Sequence, residues 1–395
     1  MHVVLANLYW RPDWESPERV AHPRHGDRVR GPLARALAAR GHSVTIVQDA
    51  PFDADFHDPA SPAVRWVLVR AEPSARAKRS LAATARRPFP LAHARPGRFT
   101  AAVAAQAGSV IHGFDLCAYS AVAALGAVAN QSRIPMVLHF HGGAPPRSPP
   151  GRLRARDALD SASAALFTAR SLADPFLSAG LLEPDRVFEV NELSTDFGFV
   201  AETRPGLAGR PVVVSLGRLD KVKDPLTTVE GFARFRQAVP GAHLHLAYTG
   251  DTLLPALRKR FAALGLAGSV TLHGRLDLAG VESMLGRAHL FVQSSTREVC
   301  GTAVVEALAA GCPPVVTDIP AFRTLLGPAL AHHLFAVRNP GALAAALSRA
   351  WSSSSRKSAR ARFDQATAWP VLAEQLEQLY GSVSPRSPGT NRLPA

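Results

Sequence analysis

Short apolar runs alternate with longer segments of helical period along almost the whole chain. In the first half the runs are His2 to Leu8, Ser43 to Gln48, Val64 to Val69, Pro135 to Phe140, Ala164 to Thr168 and Val187 to Val190. They are rich in β-branched residues and too short for helices, so they read as buried strands. Between them the pattern predicts helices over Asp27 to Arg40 (where Pro32 must sit in the first turn or break the helix), Thr100 to Ile111, Ala121 to Asn130, Arg152 to Asp160 and Leu172 to Ala179. A short strand is expected at Leu116 to Tyr119. The second half repeats the scheme. Strands are predicted at Pro211 to Leu216, Ala242 to Tyr248, Val270 to His273, His289 to Gln293 and Pro314 to Thr317. Helices are predicted at Leu226 to Gln237, Leu253 to Leu264, Thr302 to Ala310, Gly341 to Trp351 and Val371 to Tyr380. Repeated β–α–β units build parallel sheets, so the expected class is α/β with doubly wound domains.

A polar stretch from Ala201 to Arg210, with Pro205, Gly206 and Gly209, reads as a linker. The chain therefore divides into an N-terminal domain over 1–200, the linker 201–210, a C-terminal domain over 211–365, a terminal helix within 366–382 and a disordered tail over 383–395. A length of 395 residues suits two domains.

Charge adds one constraint. The net charge is +14, which favours anionic partners: nucleotides, lipid phosphates, nucleic acid or an anionic membrane face. Nine Arg or Lys against the single acid Glu72 fall between Arg65 and Arg98, a candidate patch for a phosphorylated lipid acceptor or a membrane surface. No nucleic-acid motif accompanies the charge. Only five of the 45 basic residues are Lys, and Lys221 and Lys223 stand together. The three cysteines, Cys117, Cys300 and Cys312, have no metal-ligand spacing, and no apolar run of about 18 residues or more occurs. A cytoplasmic protein, peripheral at most to the inner membrane face, is the expectation. Asp53-Ala54-Asp55 has the form of a metal-binding pair but is expected on a loop with no strand leading into it.

The stretch from Glu298 to Thr317, EVCGTAVVEALAAGCPPVVT, carries the most chemistry. Gly301 and Thr302 start a helix, Gly311 and Pro313 stop it, and Glu306 lies one turn in. The first N–H groups, at Thr302 and Ala303, would face an anion seated over the helix start. Glu298 and Glu306 flank that seat as acceptors for hydroxyl hydrogens. Upstream, Gly217-Arg218-Leu219-Asp220-Lys221-Val222-Lys223 follows a predicted strand and offers a guanidinium fork and an ammonium point charge for phosphate.

These residues resemble the motifs of the retaining glycosyltransferases of family 4 (group 1), which have the GT-B fold. Glu298 and Glu306, eight apart, resemble the E-x7-E signature, and Gly217 to Lys223 resembles GRLxxxK. Arg40-Gly41-His42-Ser43-Val44 is similar to the phrase that ends the family's first β–α–β unit, and Asn191 to Phe197 is similar to its NGVDxxxF stretch. Two departures stand out: Val299 and Cys300 follow Glu298 where the family has Gly and Phe, and Arg24-His25-Gly26-Asp27 replaces a Gly-Gly loop. The resemblance implies two Rossmann-like domains facing across a cleft. It implies transfer of a hexosyl unit from a nucleotide-diphosphate sugar to a hydroxyl acceptor, without a metal or other cofactor. In it Glu298 contacts the donor sugar, Glu306 the ribose, and Arg218 and Lys223 the diphosphate. Gly217, Gly301, Thr302 and Ala303 line the donor, Arg275 and Leu276 meet the base, and His141 lies near the reacting carbon. The acceptor site is left open. A nucleotide-sugar-binding protein without catalysis, or an epimerase of the same fold, are the alternatives.

Overall fold

A computed structural model describes residues 1–7, 15–22, 27–71, 97–203, 205–353 and 355–386. The chain divides into two units, Met1–Glu192 joined by residues from Leu372 onward, and Leu193–Val371.

The first unit carries an eight-stranded sheet. Its strands are β1 (His2–Asn7), β2 (Ser43–Ala50), β3 (Ala54–Asp58), β4 (Ser61–Arg70), β5 (Val110–Phe114), β6 (Met136–His139), β7 (Ala164–Phe167) and β8 (Val187–Glu189), ordered β3-β4-β2-β1-β5-β6-β7-β8. All pairs are parallel except β3 with β4. The helices described here are α1 (Pro17–Ala21), α2 (Arg30–Ala39), α3 (Gly97–Ala104), α4 (Tyr119–Ser132), α5 (Pro149–Asp160) and α6 (Asp174–Ser178). Strands β1, β5, β6 and β7 are buried almost throughout, as expected where helices cover both faces of a parallel sheet.

The second unit carries six parallel strands, β9 (Val212–Arg218), β10 (His243–Thr249), β11 (Val270–Gly274), β12 (Leu290–Gln293), β13 (Pro314–Thr317) and β14 (Leu334–Phe335), ordered β11-β10-β9-β12-β13-β14. Around it lie α7 (Pro225–Ala238), α8 (Leu254–Ala263), α9 (Leu278–Arg287), α10 (Thr302–Ala310), α11 (Pro320–Leu326), α12 (Pro340–Ser353) and α13 (Arg356–Ala366). Its core packs Val213, Phe232, Phe235, Leu244, Leu290, Leu343 and Leu347 between sheet and helices. In both sheets the winding reverses once, at β1/β5 and at β9/β12. Ligands of open α/β sheets bind at the carboxyl ends of strands beside such a reversal.

Much of the surplus Arg has a local role in this unit. Arg356 donates to Val200 O, Ala288 O and Ala310 O, and Arg362 to Thr324 O and Leu325 O. Apart from Val200 O, which lies in coil, these are carbonyls at helix ends, which lack partners within their own helix.

Four expectations change. The strand of the β5 region runs Val110–Phe114, so the expected helix ends early, at Ala104, and Leu116 to Tyr119 is not a strand. β-Branched Val110 and Ile111 pair with β1, and tertiary pairing outweighs the helical pattern before them. Ala54–Asp58 is an antiparallel edge strand and not loop. The two acids of the pair are held by arginines: Asp55 in the strand by Arg65 at 2.7 Å, and Asp53 just before it by Arg98 at 3.1 Å. Helix α2 begins at Arg30, with Gly31 and Pro32 in its first turn. Helix α13, for which the sequence pattern predicts no helix, starts soon after Trp351 and is capped by Ser355, whose Oγ accepts from Ser358 N. The basic run is largely outside the described residues, as is residue 387 onward.

The last helix, α14 (Trp369–Ser382), reaches the first unit with its C-terminal part. Glu377 there pairs with Arg40 and His42, and Tyr380 Oη lies 2.6 Å from His112 Nδ1.

Candidate active site

The carboxyl edge of the second sheet is built by two loops. The first leaves β9 at Gly217 and Arg218 and enters α7. Within it Asp220 Oδ1 accepts from the backbone N–H groups of Val222 and Lys223, both at 2.9 Å, and folds the segment into a tight turn. Asp220 Oδ2 accepts from Arg218 Nε at 2.7 Å. Burial disfavours ionisation of Asp220, yet Arg218 and the two N–H donors prevail and hold its carboxyl below the usual range. Asp224 caps α7, its Oδ1 accepting from Thr227 N at 3.5 Å, and its Oδ2 also accepts from Thr227 Oγ1 at 2.7 Å. Arg218 is largely exposed, so its guanidinium can turn to a ligand.

The second loop leaves β12 at Gln293 and enters α10. It is stitched to the first: Thr296 N donates to Val222 O at 2.7 Å, and Ser294 Oγ to Asp224 O at 2.5 Å. That stitching sets Lys223 against Glu298, and their side chains form an ion pair. Glu298 Oε1 also accepts from Gln293 Nε2 at 2.9 Å and Ser295 Oγ at 2.7 Å. Gly301 then turns the chain at φ 59°, a region L residues with side chains avoid. A Cβ there would also lie 2.8 Å from Leu325 Cδ1 and 3.0 Å from Phe322 Cε1. Glycine at 301 thus supplies the turn that the Val299-Cys300 sequence lacks. Gly301 O accepts from Val304 N and Val305 N, so the N–H groups of Thr302 and Ala303 precede the helical ladder. Thr302 is exposed and Ala303 half-buried, while Glu306 is buried one turn in. A recess lined by Gly217, Arg218, Lys223, Tyr248 and Gln293 opens beside the sheet reversal.

Arg275 and Leu276 follow β11, at the same edge but two strands from β9, after Gly274 at φ 64°. His141 stands in the other unit, two residues past β6. So Lys223 and Glu298 meet, with Arg218 on the same loop as Lys223 and Gly301, Thr302, Ala303 and Glu306 on the segment that follows Glu298, while Arg275 and Leu276 share the sheet edge but lie beyond β10. Among the described residues no group of three or more His, Cys, Asp or Glu side chains forms a metal site.

Two participants were invisible to sequence reasoning. Gln293 holds Glu298, but it reads as the last residue of a buried strand; its polarity inside an apolar run was the available signal. Glu192 accepts from His141 Nδ1, 51 residues away, and no spacing rule links them. Around that pair lies a buried polar layer at the carboxyl edge of the first sheet. Arg30 Nη2 donates to Asn7 Oδ1 at 3.0 Å, Asn7 Nδ2 to Gln48 Oε1 at 2.6 Å, and the Arg30 guanidinium sits 4.6 Å over the Phe114 ring.

Comparison with known proteins agrees with this geometry. A family model described as glycosyl transferases group 1 matches residues 203–368, and one described as a glycosyl transferase 4-like domain matches residues 27–190. Mannosylfructose-phosphate synthase of Agrobacterium fabrum is 33% identical over 142 residues, 34% of this chain and 30% of that protein. Phosphatidyl-myo-inositol mannosyltransferase of Mycobacterium tuberculosis is 29% identical over 186 residues, 44% of this chain and 47% of that protein. The chain thus spans less than half the length of these two relatives. Among solved structures, sucrose-phosphate synthase of Thermosynechococcus elongatus superposes with a TM-score of 0.67 at 19% identity, covering 96% of this chain and 98% of that one. Anabaena HepE in complex with UDP gives 0.64 at 16%, covering 97% and 100%. Between them the two family models match most of the chain, and the protein belongs to the group 1 glycosyltransferases, with two GT-B-type parallel-sheet domains.

Proposed function

We propose that the chain is a retaining glycosyltransferase that moves a hexosyl unit from a nucleotide-diphosphate sugar to a hydroxyl acceptor without a metal. The observation that carries this is the meeting of Lys223 and Glu298 beside Arg218 at the β9/β12 reversal. Arg218 and Lys223 place two positive charges where a leaving diphosphate gathers negative charge, and the N–H groups of Thr302 and Ala303 add two donors. Glu298 accepts from the donor sugar and Glu306 from the ribose. Arg275 and Leu276 face the base. His141 and the first unit serve the reacting carbon and the acceptor.

The bond from the sugar's anomeric carbon to the diphosphate oxygen breaks. The acceptor oxygen bonds on the same face, and its proton passes to the leaving phosphate. No side chain is assigned as base. Two relatives are named for mannosyl compounds and a structural neighbour holds UDP, which supports a hexosyl unit carried on a nucleoside diphosphate. Contact with an anionic membrane face from the cytoplasmic side is part of the reading. Helix α5 supports it, presenting Leu153 at 61% exposure among exposed Arg152, Arg154 and Arg156. Among the described residues no helix is long and apolar enough to cross a membrane.

The test is turnover. UDP-, GDP- and ADP-sugars are incubated with a panel of glycan, lipid and small-molecule hydroxyl acceptors, and free nucleotide and glycosylated product are measured. Acceptor-dependent release with one base is expected, unchanged by EDTA, and about 10²- to 10³-fold slower in Lys223→Ala. Binding of a sugar nucleotide without turnover would make the chain a binding protein instead.

A further inference from the structure

Strand β12 is apolar and buried until its last residue, Gln293, which is 3% exposed and pairs with Val316 of β13. The Gln293 amide is half used. Its Nε2 donates to Ser295 Oγ at 3.0 Å and to Glu298 Oε1 at 2.9 Å, while its Oε1 is buried with no hydrogen-bond partner. The amide's direction is forced by its neighbours. Lys223 Nζ, which only donates, meets the same Glu298 oxygen, so that oxygen is an acceptor and the NH2 end of Gln293 faces it. An amide kept at the end of an apolar strand with one end orphaned costs stability. An apolar side chain of equal length would avoid that cost, so the benefit lies in what Nε2 holds.

Three donors converge on Glu298 Oε1: Gln293 Nε2, Ser295 Oγ at 2.7 Å and Lys223 Nζ. Oε2 of the same carboxylate accepts no hydrogen bond among the described residues and is not sealed from solvent, in a side chain that is 13% exposed. We infer that Gln293 is a positioning residue for Glu298: it commits Oε1 to the protein and leaves Oε2 to accept a single hydroxyl of the donor sugar. This rests on the reading of Glu298 as the acceptor for that sugar.

The count of protons fits. Ser295 gives its one hydroxyl proton to Glu298 and accepts from Gln293, whose two N–H donors are then both used. Lys223 has three donors; one goes to Glu298 and two stay for phosphate oxygens. Ser295 is fully buried and Gln293 lies on a strand inside the sheet, so the carboxylate is aimed from a rigid element. A sugar without a hydroxyl at the matching position would leave Oε2 desolvated and unpaired, and the site rejects it on that ground. The donor class is therefore a nucleotide sugar with a free hydroxyl at one fixed position.

The experiment is calorimetric titration of the full chain with UDP, GDP and ADP, with their hexose conjugates, and with the monodeoxy forms of whichever conjugate binds. In the wild type, loss of one particular hydroxyl should weaken binding by about tenfold or more, the worth of one hydrogen bond to a charged group. In Gln293→Met the same loss should cost clearly less, and in Glu298→Ala nothing. Adding Gln293→Met to Glu298→Ala should change nothing further, because the residue it positions is gone. Gln293→Met should keep the wild-type affinity for the nucleoside diphosphate, since Arg218 and Lys223 are untouched, and should melt no lower than wild type. A merely structural role would instead weaken parent and deoxy donors alike. An unchanged hydroxyl preference in Gln293→Met, or additive losses in the double variant, overturns the inference. So does a wild type that binds a sugar nucleotide with no hydroxyl reaching the tenfold loss; that result needs no variant to fold and leaves the donor site standing. A wild type that binds no sugar nucleotide contradicts the proposed function itself, and the inference falls with it.

Discussion

The carboxyl edges of the two sheets are built by opposite means. On the second sheet the edge is made of two short-range turns, which then meet through Lys223 and Glu298. Asp220 folds back on Val222 and Lys223, Gln293 and Ser295 reach Glu298 within five residues, and Gly301 opens a helix next to them. On the first sheet it is made of buried side chains that meet across long separations: His141 with Glu192, Asn7 with Gln48, Arg30 with Asn7. Each of those turns can be read in a window of ten residues, although their meeting cannot. The buried side-chain pairs exist only once strands from distant parts of the chain lie side by side. The lesson is that a compact turn can be recognised as a motif, whereas a pairing between distant strands is written in no motif.

Substitutions can break this contrast. If the second edge depends on backbone geometry, Gly301→Ala should disturb it more than its size suggests. A positive φ costs an L residue about 1–2 kcal/mol and forced contacts at 2.8–3.0 Å add about as much again, so a loss of about 2–4 kcal/mol in stability is expected, together with weaker donor binding. Chemical denaturation and nucleotide titration would measure both. A Gly301→Ala variant that binds donor as tightly as wild type would mean the helix start is not what seats the anion.

A smaller effect sharpens the other side. Asp49, next to last in β2, is buried beside Gln48, its Oδ2 has no hydrogen-bond partner among the described residues, and burial raises its carboxyl to about 7. A carboxyl raised on folding contributes stability that is present below its ordinary 3.8 and is lost as pH rises through about 7. Asp49→Asn should therefore raise Tm at pH 8 by several degrees, with the gain shrinking as pH falls toward 4. A gain that does not change with pH would show that the carboxylate is paired in solution.

The same contrast explains what the sequence disclosed. Alternating apolar runs and helical segments disclosed both parallel sheets, because a strand buried on two faces must be apolar along its length. They misplaced β5, whose Gly113 and His112 interrupt the apolar pattern and whose identity as a strand comes from pairing with β1 and β6. They missed β3, since an edge strand carrying Asp55 and His57 has the composition of a loop. The positions of Arg218, Lys223, Glu298 and Glu306 were legible because glycine, charge and helix-start signals coincide there. The roles of Gln293 and Glu192 were not: only polarity inside an apolar run marks Gln293, and no spacing marks Glu192.

The measurement that bears most directly on the central claim is donor binding at the second edge. Thermal unfolding is followed with UDP-, GDP- and ADP-sugars, with and without EDTA, on the wild type and on Glu306→Ala. A ligand at about 100 times its Kd adds about 2.7 kcal/mol, a rise of several degrees. One base series should give that rise in the wild type, EDTA should leave it unchanged, and Glu306→Ala should lose it. No rise with any sugar nucleotide, or an undiminished rise in Glu306→Ala, would contradict the placement of the donor between Lys223, Glu298 and the start of α10.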